Sequence, residues 1–365
     1  MKNYLVLGLL LFSQLCLGQT IDLTESRYEN PNYSSQIAEA RVMVEGLMEE
    51  LSIPGLSITL AKKDEIIWSE GLGLANVESN LPVRIETMFR IGSISKSFTS
   101  LALGKLIEEG KISLDDKVND LVPYFPKKEY DISILQLANH TAGIRNYKGA
   151  EFRSNSFFDS VEKAVGVFGA DPLLFEPGSE YAYATYNYTL LSGAMEMVSG
   201  STYLDYMQKV VFDPLGLDHT MADKASEEIP ERATFYYKQG ANWGVTPDVD
   251  NSNKWAGGGL LSNSLDMAKM AQGLLNNKLL REDTKEILWT RSSLTNGEEI
   301  AYAVGWRNTK DEKGRRIIHH GGSSMGARSF LILFPEEGWT VAMTCNISSS
   351  FNEEFAVPLA EIFLD

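Results

Sequence analysis

The first clear pattern along the chain is an amphipathic helix followed by a β-hairpin. In residues 36–51 large apolar residues recur at helical spacing, at Ile37, Val44, Leu47, Met48 and Leu51. The next segment, PGLSITLAKKDEIIWSEGLG, has two β-rich runs separated by a charged turn, and this predicts a hairpin. A second helix is predicted for ISKSFTSLALGKLIEEG, because apolar residues recur there every four positions and Gly110 suits a C-terminal stop.

Beyond this second helix the pattern changes twice. From about residue 126 to 250 β-rich runs become rare, while Pro, Gly, Asn and Tyr become frequent between short helical patches. A helix resumes with LDMAKMAQGLL, for which Asn263 or Ser264 is the expected N-cap. Residues 300–346 carry several β-rich runs, and FNEEFAVPLAEIFL predicts a closing helix.

This order predicts two lobes. Residues 36–125 and 251–365 would form a lobe of strands and helices built from both chain ends, with a mostly helical lobe, residues 126–250, inserted between them. A cleft between the lobes is where we expect a small-molecule site.

Composition and charge narrow the classes of function. The chain has 365 residues, of which 44% are hydrophobic and 22% charged, as expected of a globular protein. Its formal net charge of −16 disfavours binding to nucleic acid or to anionic lipid, because like charges repel. No apolar run after the first residues is long enough to span a membrane.

The first residues, MKNYLVLGLLLFSQLCLGQT, have the pattern of a secretory leader. Lys2 precedes a short apolar run, and Cys16 and Gly18 are small residues before a cut at Gln19. We therefore expect residues 1–18 to be a signal peptide, residues 19–35 an N-terminal extension, and the protein to be exported, with the periplasm preferred. A lipid anchor at Cys16 is the less favoured alternative, because Gln14 and Leu15 fit it poorly.

One short motif suggests a serine hydrolase, but the sequence around it lacks the features that this motif requires. Gly322-Ser323-Ser324-Met325-Gly326 fits the G-x-S-x-G nucleophile elbow, which requires a helix after the serine and a histidine later in the chain. Here ARSFLILF predicts a strand, and all four histidines precede Ser324. Ser324 is therefore not the expected nucleophile.

A serine and a lysine three residues apart on a helix offer a different nucleophile. The pairs are Ser93–Lys96 and Ser160–Lys163, and only the first begins an apolar helix where burial would lower the pKa of the lysine. Acidic neighbours would keep Lys163 protonated. Local features leave two interpretations of Ser93 and Lys96 equally open: a nucleophile with its base, or a helix cap with a solvated lysine.

A resemblance separates these interpretations. Around Ser93, FRIGSISKSFTSLALGKLIEEGKISLDDKV resembles the active-site region of class C β-lactamases and low-molecular-weight penicillin-binding proteins. Further landmarks follow in the family order: LQLANHTAGIRNY, FEPGSEYAYATYNYTLLSGAMEMVSG, WAGGGLLSNSLDMAKM and HHGGSSMGARSFLILFP. The resemblance covers residues 36–363 and is greatest to the serine β-lactamase-like group, whose mitochondrial member has peptidase activity.

The resemblance implies a fold and a set of roles. The fold would be α+β, of the β-lactamase/transpeptidase type, with an antiparallel sheet flanked by helices and an all-α lobe. Ser93 would be the acylated nucleophile, and Lys96 and Tyr183 would share proton transfer, with the sequence leaving open which is the base. The substrate-binding and oxyanion residues implied are Thr185, His319, Gly321 and Gly322.

Departures from the family pattern shape the expected activity. Thr185 replaces a common Asn, so we expect weaker hydrogen bonding to a substrate amide. His319 replaces a common Lys, so we expect weaker binding of a substrate carboxylate at neutral pH. This favours a peptidase or esterase over a β-lactamase or D-Ala-D-Ala carboxypeptidase; a catalytically silent binding protein is the remaining alternative.

The histidines do not predict a metal site. Strand alternation would separate His319 from His320, so we expect no metal site, and we expect no cofactor. His140 and His219 are interpreted as structural residues that tie down the backbone. The expected partner is a small-molecule or peptide substrate; the oligomeric state is left open.

Overall fold

The computed structural model describes residues 21–240, 242–348, 351 and 353–364. The predicted signal peptide, residues 1–18, and residues 19–20 of the predicted extension lie outside the described residues. The α-helices are α1 Ser34–Leu51, α2 Ser95–Glu108, α3 Val118–Leu121, α4 Ile134–Ala138, α5 Val161–Val165, α6 Thr185–Ser199, α7 Tyr203–Met207, α8 Asp213–Leu215, α9 Trp255–Gly258, α10 Ser264–Leu275, α11 Glu282–Trp289 and α12 Glu353–Leu364.

The strands are β1 Arg27–Glu29, β2 Gly55–Lys62, β3 Glu65–Asn76, β4 Leu81–Pro82, β5 Phe89–Arg90, β6 Met221–Ala222, β7 Tyr236–Gln239, β8 Asn242–Val245, β9 Leu260–Ser262, β10 Ser292–Ser293, β11 Glu299–Ile300, β12 Arg307–Lys310, β13 Arg316–Ser324, β14 Ala327–Phe334 and β15 Trp339–Cys345. Short 3-10 turns lie at Pro31–Tyr33, Gly92–Ile94, Glu151–Arg153 and Ser252–Lys254, and a π-helical turn at Gln208–Phe212.

A central antiparallel sheet organises these elements. Its strands follow the order β1-β3-β2-β15-β14-β13-β12, with β4 added beside β3. Each pair of neighbours is antiparallel, and the predicted hairpin forms β2 and β3. Because β2 pairs with β15, the two ends of the chain build one sheet, as the order of elements predicted.

The two faces of the sheet bury different layers of helices. On β14, Phe330 and Ile332 face the apolar layer that contains α1 and α12, whereas Leu331 and Leu333 face the layer that contains α2 and the middle of the chain. This alternation follows from the two-residue period of a strand, and it decides which side chains of the neighbouring strand β13 can reach the α2 side.

The helix α2 lies at the centre of the α2 side and is buried nearly all round. The sequence predicted a single apolar face, but residues 95–104 are all buried, including several polar side chains. Backbone carbonyls accept hydrogen bonds from two of these side chains: Ser97 Oγ donates to the carbonyl of Gly305 at 2.8 Å, and Thr99 Oγ1 donates to that of Ala256 at 2.8 Å. Gly110, at φ +64°, follows the helix end as expected.

The middle of the chain is only partly helical. Helices α4 to α8 lie between residues 134 and 215, but residues 221–245 contribute the strands β6, β7 and β8. Strand β6 pairs with β9, which pairs with β5 from the other predicted lobe. One apolar core also joins residues of both parts, so the lobe boundaries at 126 and 250 stay a prediction. None of the described helices combines the length and apolar character needed to cross a bilayer.

The N-cap of α10 provides a test of this local reasoning. The side chain of Asn263 accepts a hydrogen bond of 2.7 Å from the backbone N–H of Asp266. We expect Asn263→Ala to lower the free energy of unfolding by about 1 kcal/mol, because it removes this acceptor at a helix N-terminus. Asn263→Ser, which keeps an acceptor, should lose less, and thermal unfolding of the two variants would contradict the assignment if their midpoints were equal.

Candidate active site

Ser93 lies in a tight turn between strand β5 and helix α2. The turn passes so close to strand β13 that a Cβ on Gly92, at φ +49°, would lie 2.6 Å from the backbone nitrogen of Ser323. The carbonyl of Ile91 accepts a hydrogen bond of 2.7 Å from the buried hydroxyl of Ser329 on β14. The sheet therefore holds the Ser93 turn directly, and only a glycine fits at position 92.

Lys96 lies one helical turn after Ser93 and is fully buried. Its Nζ lies 3.0 Å from Ser93 Oγ and donates to the carbonyl of Gly257. The rings of Tyr183 and Tyr188 flank the amine, with centroids 4.8 and 5.5 Å from Nζ.

The surroundings of Lys96 favour its uncharged form. Burial lowers the pKa of Lys96 well below that of an exposed lysine, and no described carboxylate opposes this effect. A neutral amine has hydrogens to donate to Gly257 and a lone pair that faces the hydroxyl of Ser93. This geometry suits proton transfer from the hydroxyl to the amine.

Tyr183 completes the group that the sequence brought together. Its hydroxyl is buried and interacts with the side chain of Ser93, although not with the distance and angle of a regular hydrogen bond. Burial raises the pKa of Tyr183, while Ser93 and Arg307 oppose the rise. Tyr183 is therefore a protonated phenol at neutral pH, placed beside both Ser93 and Lys96.

The alternative serines are not placed for catalysis. Ser160 caps the short helix α5, and Lys163 is exposed and lies 2.6 Å from a carboxylate oxygen of Asp159. Ser324 ends strand β13, and a turn leads directly into strand β14, as predicted. Neither arrangement provides a buried base or the strand–turn–helix geometry of an elbow.

The two histidines of β13 point to opposite faces of the strand. His320, on the α2 face of β13, lies within electrostatic reach of Lys96, while the aromatic ring of Tyr302 packs at 5.6 Å from its own. His319 faces the opposite side, where its ring lies 5.7 Å from Phe330 and its Nε2 lies 3.1 Å from Thr309 Oγ1. Strand alternation thus sends His320, and not His319, towards Lys96. His319 lines the same cleft as Ser93, and its contact with a substrate stays a prediction.

His320 is held as a neutral imidazole. Its Nδ1 lies 2.7 Å from the carbonyl of Gly321, which can only accept, so the proton is on Nδ1. Its Nε2 then accepts a hydrogen bond of 2.8 Å from the hydroxyl of Tyr302. Burial lowers the pKa of His320 well below its usual range. His320 therefore does not supply the positive charge of a lysine.

The two glycines of β13, Gly321 and Gly322, differ in the space that the surrounding protein leaves for a side chain. A Cβ on Gly321 would meet no atom of the protein closer than Phe330, at 3.5 Å, so packing does not require a glycine there. Contact of Gly321 with a substrate stays a prediction. A Cβ on Gly322 would lie 2.0 Å from the carbonyl of Ile91. Gly322 thus admits the Ser93 turn rather than the substrate. The oxyanion role of its N–H stays a prediction, with the N–H of Ser323, beside Gly92, as the neighbouring candidate.

Thr185 lies behind Tyr183. It is buried at the start of helix α6, where its backbone N–H donates to Asn146 Oδ1 at 3.1 Å and its hydroxyl interacts with Tyr147. A Cβ on Gly257 would lie 2.6 Å from Thr185 Cγ2. These contacts support the backbone near Lys96, and contact of Thr185 with a substrate stays a prediction.

A cleft of about 370 Å³ opens onto this group. Its lining contains no carboxylate and consists of Ser93, Tyr183, Arg307, His319, His320, Gly321, Ser323, Arg328 and Phe330. A larger groove, of about 570 Å³, lies beside α8 and α10 and contains none of the residues around Ser93. Among the described residues, no group of three or more His, Cys, Asp or Glu is placed to bind a metal ion.

Two arginines of the cleft were missed by the sequence reasoning. Arg307 begins β12 and Arg328 lies on β14, and neither forms an ion pair with a described carboxylate. Arg307 packs over the ring of Tyr302, with its guanidinium carbon 5.4 Å from the ring centroid. These residues come together only through the pairing of β12, β13 and β14, so no local sequence motif predicts them.

The other histidines differ in their relation to the site. The N–H of His219 donates to Asp266 Oδ2 at 2.8 Å, away from Ser93. His140 is buried against Tyr183, with ring centroids 4.2 Å apart. His140 therefore packs against a residue of the active site, in addition to the structural role predicted for it.

Comparisons with known proteins agree with this geometry. The sequence profile of the family described as Beta-lactamase matches residues 40–361. The human mitochondrial serine β-lactamase-like protein LACTB is 30% identical, in an alignment covering 87% of this chain and 78% of LACTB.

Solved structures agree as well. The octameric penicillin-binding protein homologue from Pyrococcus abyssi superposes with a TM-score of 0.78 at 27% identity, covering 90% of this chain and 77% of that one. FmtA from Staphylococcus aureus has the same fold, with a TM-score of 0.78 at 20% identity, covering 95% and 90%.

The two glycines of β13 give a matched test of the site. Gly322→Ala should lower kcat/KM by more than about a hundredfold, because its Cβ would displace the turn that carries Ser93. Gly321→Ala should stay within about threefold of the wild type, because its Cβ makes an ordinary contact. Ester hydrolysis measures both, and equal losses in the two variants would contradict this account of the turn.

Proposed function

Because this chain belongs to the β-lactamase family of serine hydrolases, we propose that it hydrolyses small amides or esters through an acyl-enzyme on Ser93. The observation that carries the proposal is the contact of 3.0 Å between Ser93 Oγ and the Nζ of a lysine that has no carboxylate partner among the described residues. A serine becomes a nucleophile when a neighbouring base accepts its proton, and this contact provides the base.

Lys96 is the proposed base in acylation. It accepts the proton of Ser93 as Oγ bonds to the carbonyl carbon of the substrate, and the carbonyl oxygen takes up the negative charge. The N–H of Ser93 and an N–H of strand β13, from Gly322 or Ser323, would stabilise this oxyanion. Tyr183 stays protonated because burial raises its pKa, so it is better suited to relay a proton than to begin the reaction as a base.

The remaining steps return each proton to its place. When the tetrahedral intermediate collapses, the C–N or C–O bond breaks and the leaving atom receives the proton from Lys96, through the hydroxyl of Tyr183. Water then gives a proton to Lys96 as its oxygen attacks the acyl carbon. Release of the acid transfers a proton back to Ser93 and restores the neutral amine.

The arginines indicate an anionic substrate. Guanidinium groups bind carboxylates through paired, charge-assisted hydrogen bonds, and Arg307 and Arg328 line the cleft without a described carboxylate partner. They supply the positive charge that neutral His320 lacks. The weak carboxylate binding expected from the absence of lysine therefore does not follow, and we propose that the preferred amide or ester carries a carboxylate.

This charge also supports a second candidate function. Penicillins and peptides ending in D-alanine both present a carboxylate, so the arginines favour β-lactamase or D-Ala-D-Ala carboxypeptidase action as the alternative. The assembled Ser93, Lys96 and Tyr183 argue against a catalytically silent binding protein. Export to the periplasm, with residues 1–18 as the leader, remains part of the proposal and rests on the sequence alone.

The acyl-enzyme can be tested by mapping it. After brief exposure to p-nitrophenyl acetate, mass spectrometry should find an acetyl group on Ser93, and Ser93→Ala should lose more than about a thousandfold in kcat/KM. Ser324→Ala is the matched control and should keep both the label and the activity. An acetyl group on Ser324 or Ser160, or full activity in Ser93→Ala, would overturn the proposal.

The proposed substrate charge can be tested with a pair of esters. Replacing Arg307 and Arg328 together by alanine should raise KM about tenfold for an ester with a carboxylate, since charge-assisted hydrogen bonds contribute about 1.5–3 kcal/mol. The KM for a neutral ester of the same size should stay within about twofold, and lysine replacements should restore part of the difference. Equal changes for both esters would show that the arginines do not select charge.

A further inference from the structure

We propose that His140 is a positioning residue that holds Tyr183 at Ser93 and Lys96. This inference rests on the proposed function, in which Tyr183 relays a proton. It goes beyond the expectation that His140 only ties down backbone. The part of the chain that His140 ties down is the segment that carries Tyr183.

Backbone N–H groups of the residues before and after Tyr183 both donate to His140. The backbone N–H of Ala182 donates to the carbonyl of His140 at 3.0 Å. The backbone N–H of Ala184 donates to the ring Nδ1 of His140 at 3.3 Å. One residue thus fixes the chain on either side of Tyr183, at the point where the loop enters helix α6.

The backbone of His140 makes this double contact possible. His140 follows the short helix α4 and has φ +66°, in the left-handed region that few residues other than glycine adopt. In this conformation its carbonyl and its imidazole both reach the segment from Ala182 to Ala184. The residue is fully buried, so no water competes for these contacts.

The hydrogen bonds also fix the state of the imidazole. A backbone N–H can only donate, so Nδ1 must accept from Ala184, and the side-chain amide of Asn187 lies 3.1 Å from the same nitrogen. The proton of the neutral ring is therefore on Nε2. Burial lowers the pKa of His140 well below its usual range, so the acceptor is present at neutral pH.

Tyr183 depends on this support because its hydroxyl interacts with Ser93 without forming a regular hydrogen bond. Ring packing adds to the backbone contacts: the His140 ring lies 4.2 Å from that of Tyr183 and 4.6 Å from that of Tyr302. A small rotation of the segment would move the phenol away from Ser93. Misplacement of a catalytic group by about 1 Å can lower a rate about a hundredfold.

Two substitutions of His140 distinguish the role of its side-chain acceptor from the role of its backbone conformation. His140→Gly and His140→Asn both tolerate positive φ, but only asparagine keeps an acceptor, Oδ1, at the same distance along the side chain as Nδ1. We expect His140→Gly to lower kcat for ester hydrolysis by about tenfold to a hundredfold, with little change in KM. His140→Asn should stay within about fivefold of the wild type.

A double-mutant cycle shows whether His140 acts through Tyr183. If it does, His140→Gly should have almost no further effect on kcat in a Tyr183→Phe background, whereas its effect on the melting temperature should be the same in both backgrounds. Equal losses of kcat in the two backgrounds, or equal losses in the Gly and Asn variants, would overturn the inference. A Tyr183→Phe variant with wild-type kcat would instead overturn the proposed role of Tyr183, while acylation of Ser93 would still be measurable.

The wild-type protein provides a reading that does not depend on the folding of any variant. Nitrogen-15 NMR of labelled histidine should show His140 protonated on Nε2 and not on Nδ1 from pH 6 to 9. A proton on Nδ1 would exclude the hydrogen bond from Ala184 and overturn the inference.

Discussion

The structure depends on the burial of one amine, that of Lys96, without a counter-ion among the described residues. An ammonium in this position would be strongly destabilising, because burial removes its hydration and nothing nearby replaces it. The protein instead surrounds a neutral amine with two tyrosine rings, the carbonyl of Gly257 and the hydroxyl of Ser93. The same burial that removes the charge of the lysine leaves it a lone pair for the serine proton.

Precise placement of Ser93 relative to this amine comes from the sheet. The Ser93 turn is held by a hydrogen bond from Ser329 to the carbonyl of Ile91 and by close approach at Gly92 and Gly322. On the other side, His140 brackets the segment that carries Tyr183. The sheet thus positions Ser93, helix α2 carries Lys96, and the middle segment carries Tyr183. The three elements meet at the active site.

Much of the fold and the central residues of the site could be predicted from sequence. The hairpin, the N-cap at Asn263 and the Ser93–Lys96 pair are local features, set by periodicity, capping and spacing over a few residues. The resemblance to the family then implied the antiparallel sheet. Local patterns could not show that helix α2 is buried on all sides, because that depends on which elements pack around it.

The features that the sequence did not show depend on strand pairing. The sequence analysis assigned substrate binding to His319, whereas the two-residue period of β13 turns His320 towards Lys96. Arg307 and Arg328 lie on two other strands and meet only after pairing. Through them a chain of formal net charge −16 lines its cleft with positive groups, a distribution that net charge cannot reveal.

The most direct test of the central claim is the titration of Lys96 itself. Carbon-13 NMR of lysine labelled at Cε, with the Lys96 signal assigned by its loss in Lys96→Met, reports the charge of this amine at each pH. We expect a midpoint well below that of the exposed lysines, with Lys96 uncharged while they are still protonated. A midpoint at or above theirs would mean that the amine carries a charge at working pH, and would contradict Lys96 as the base.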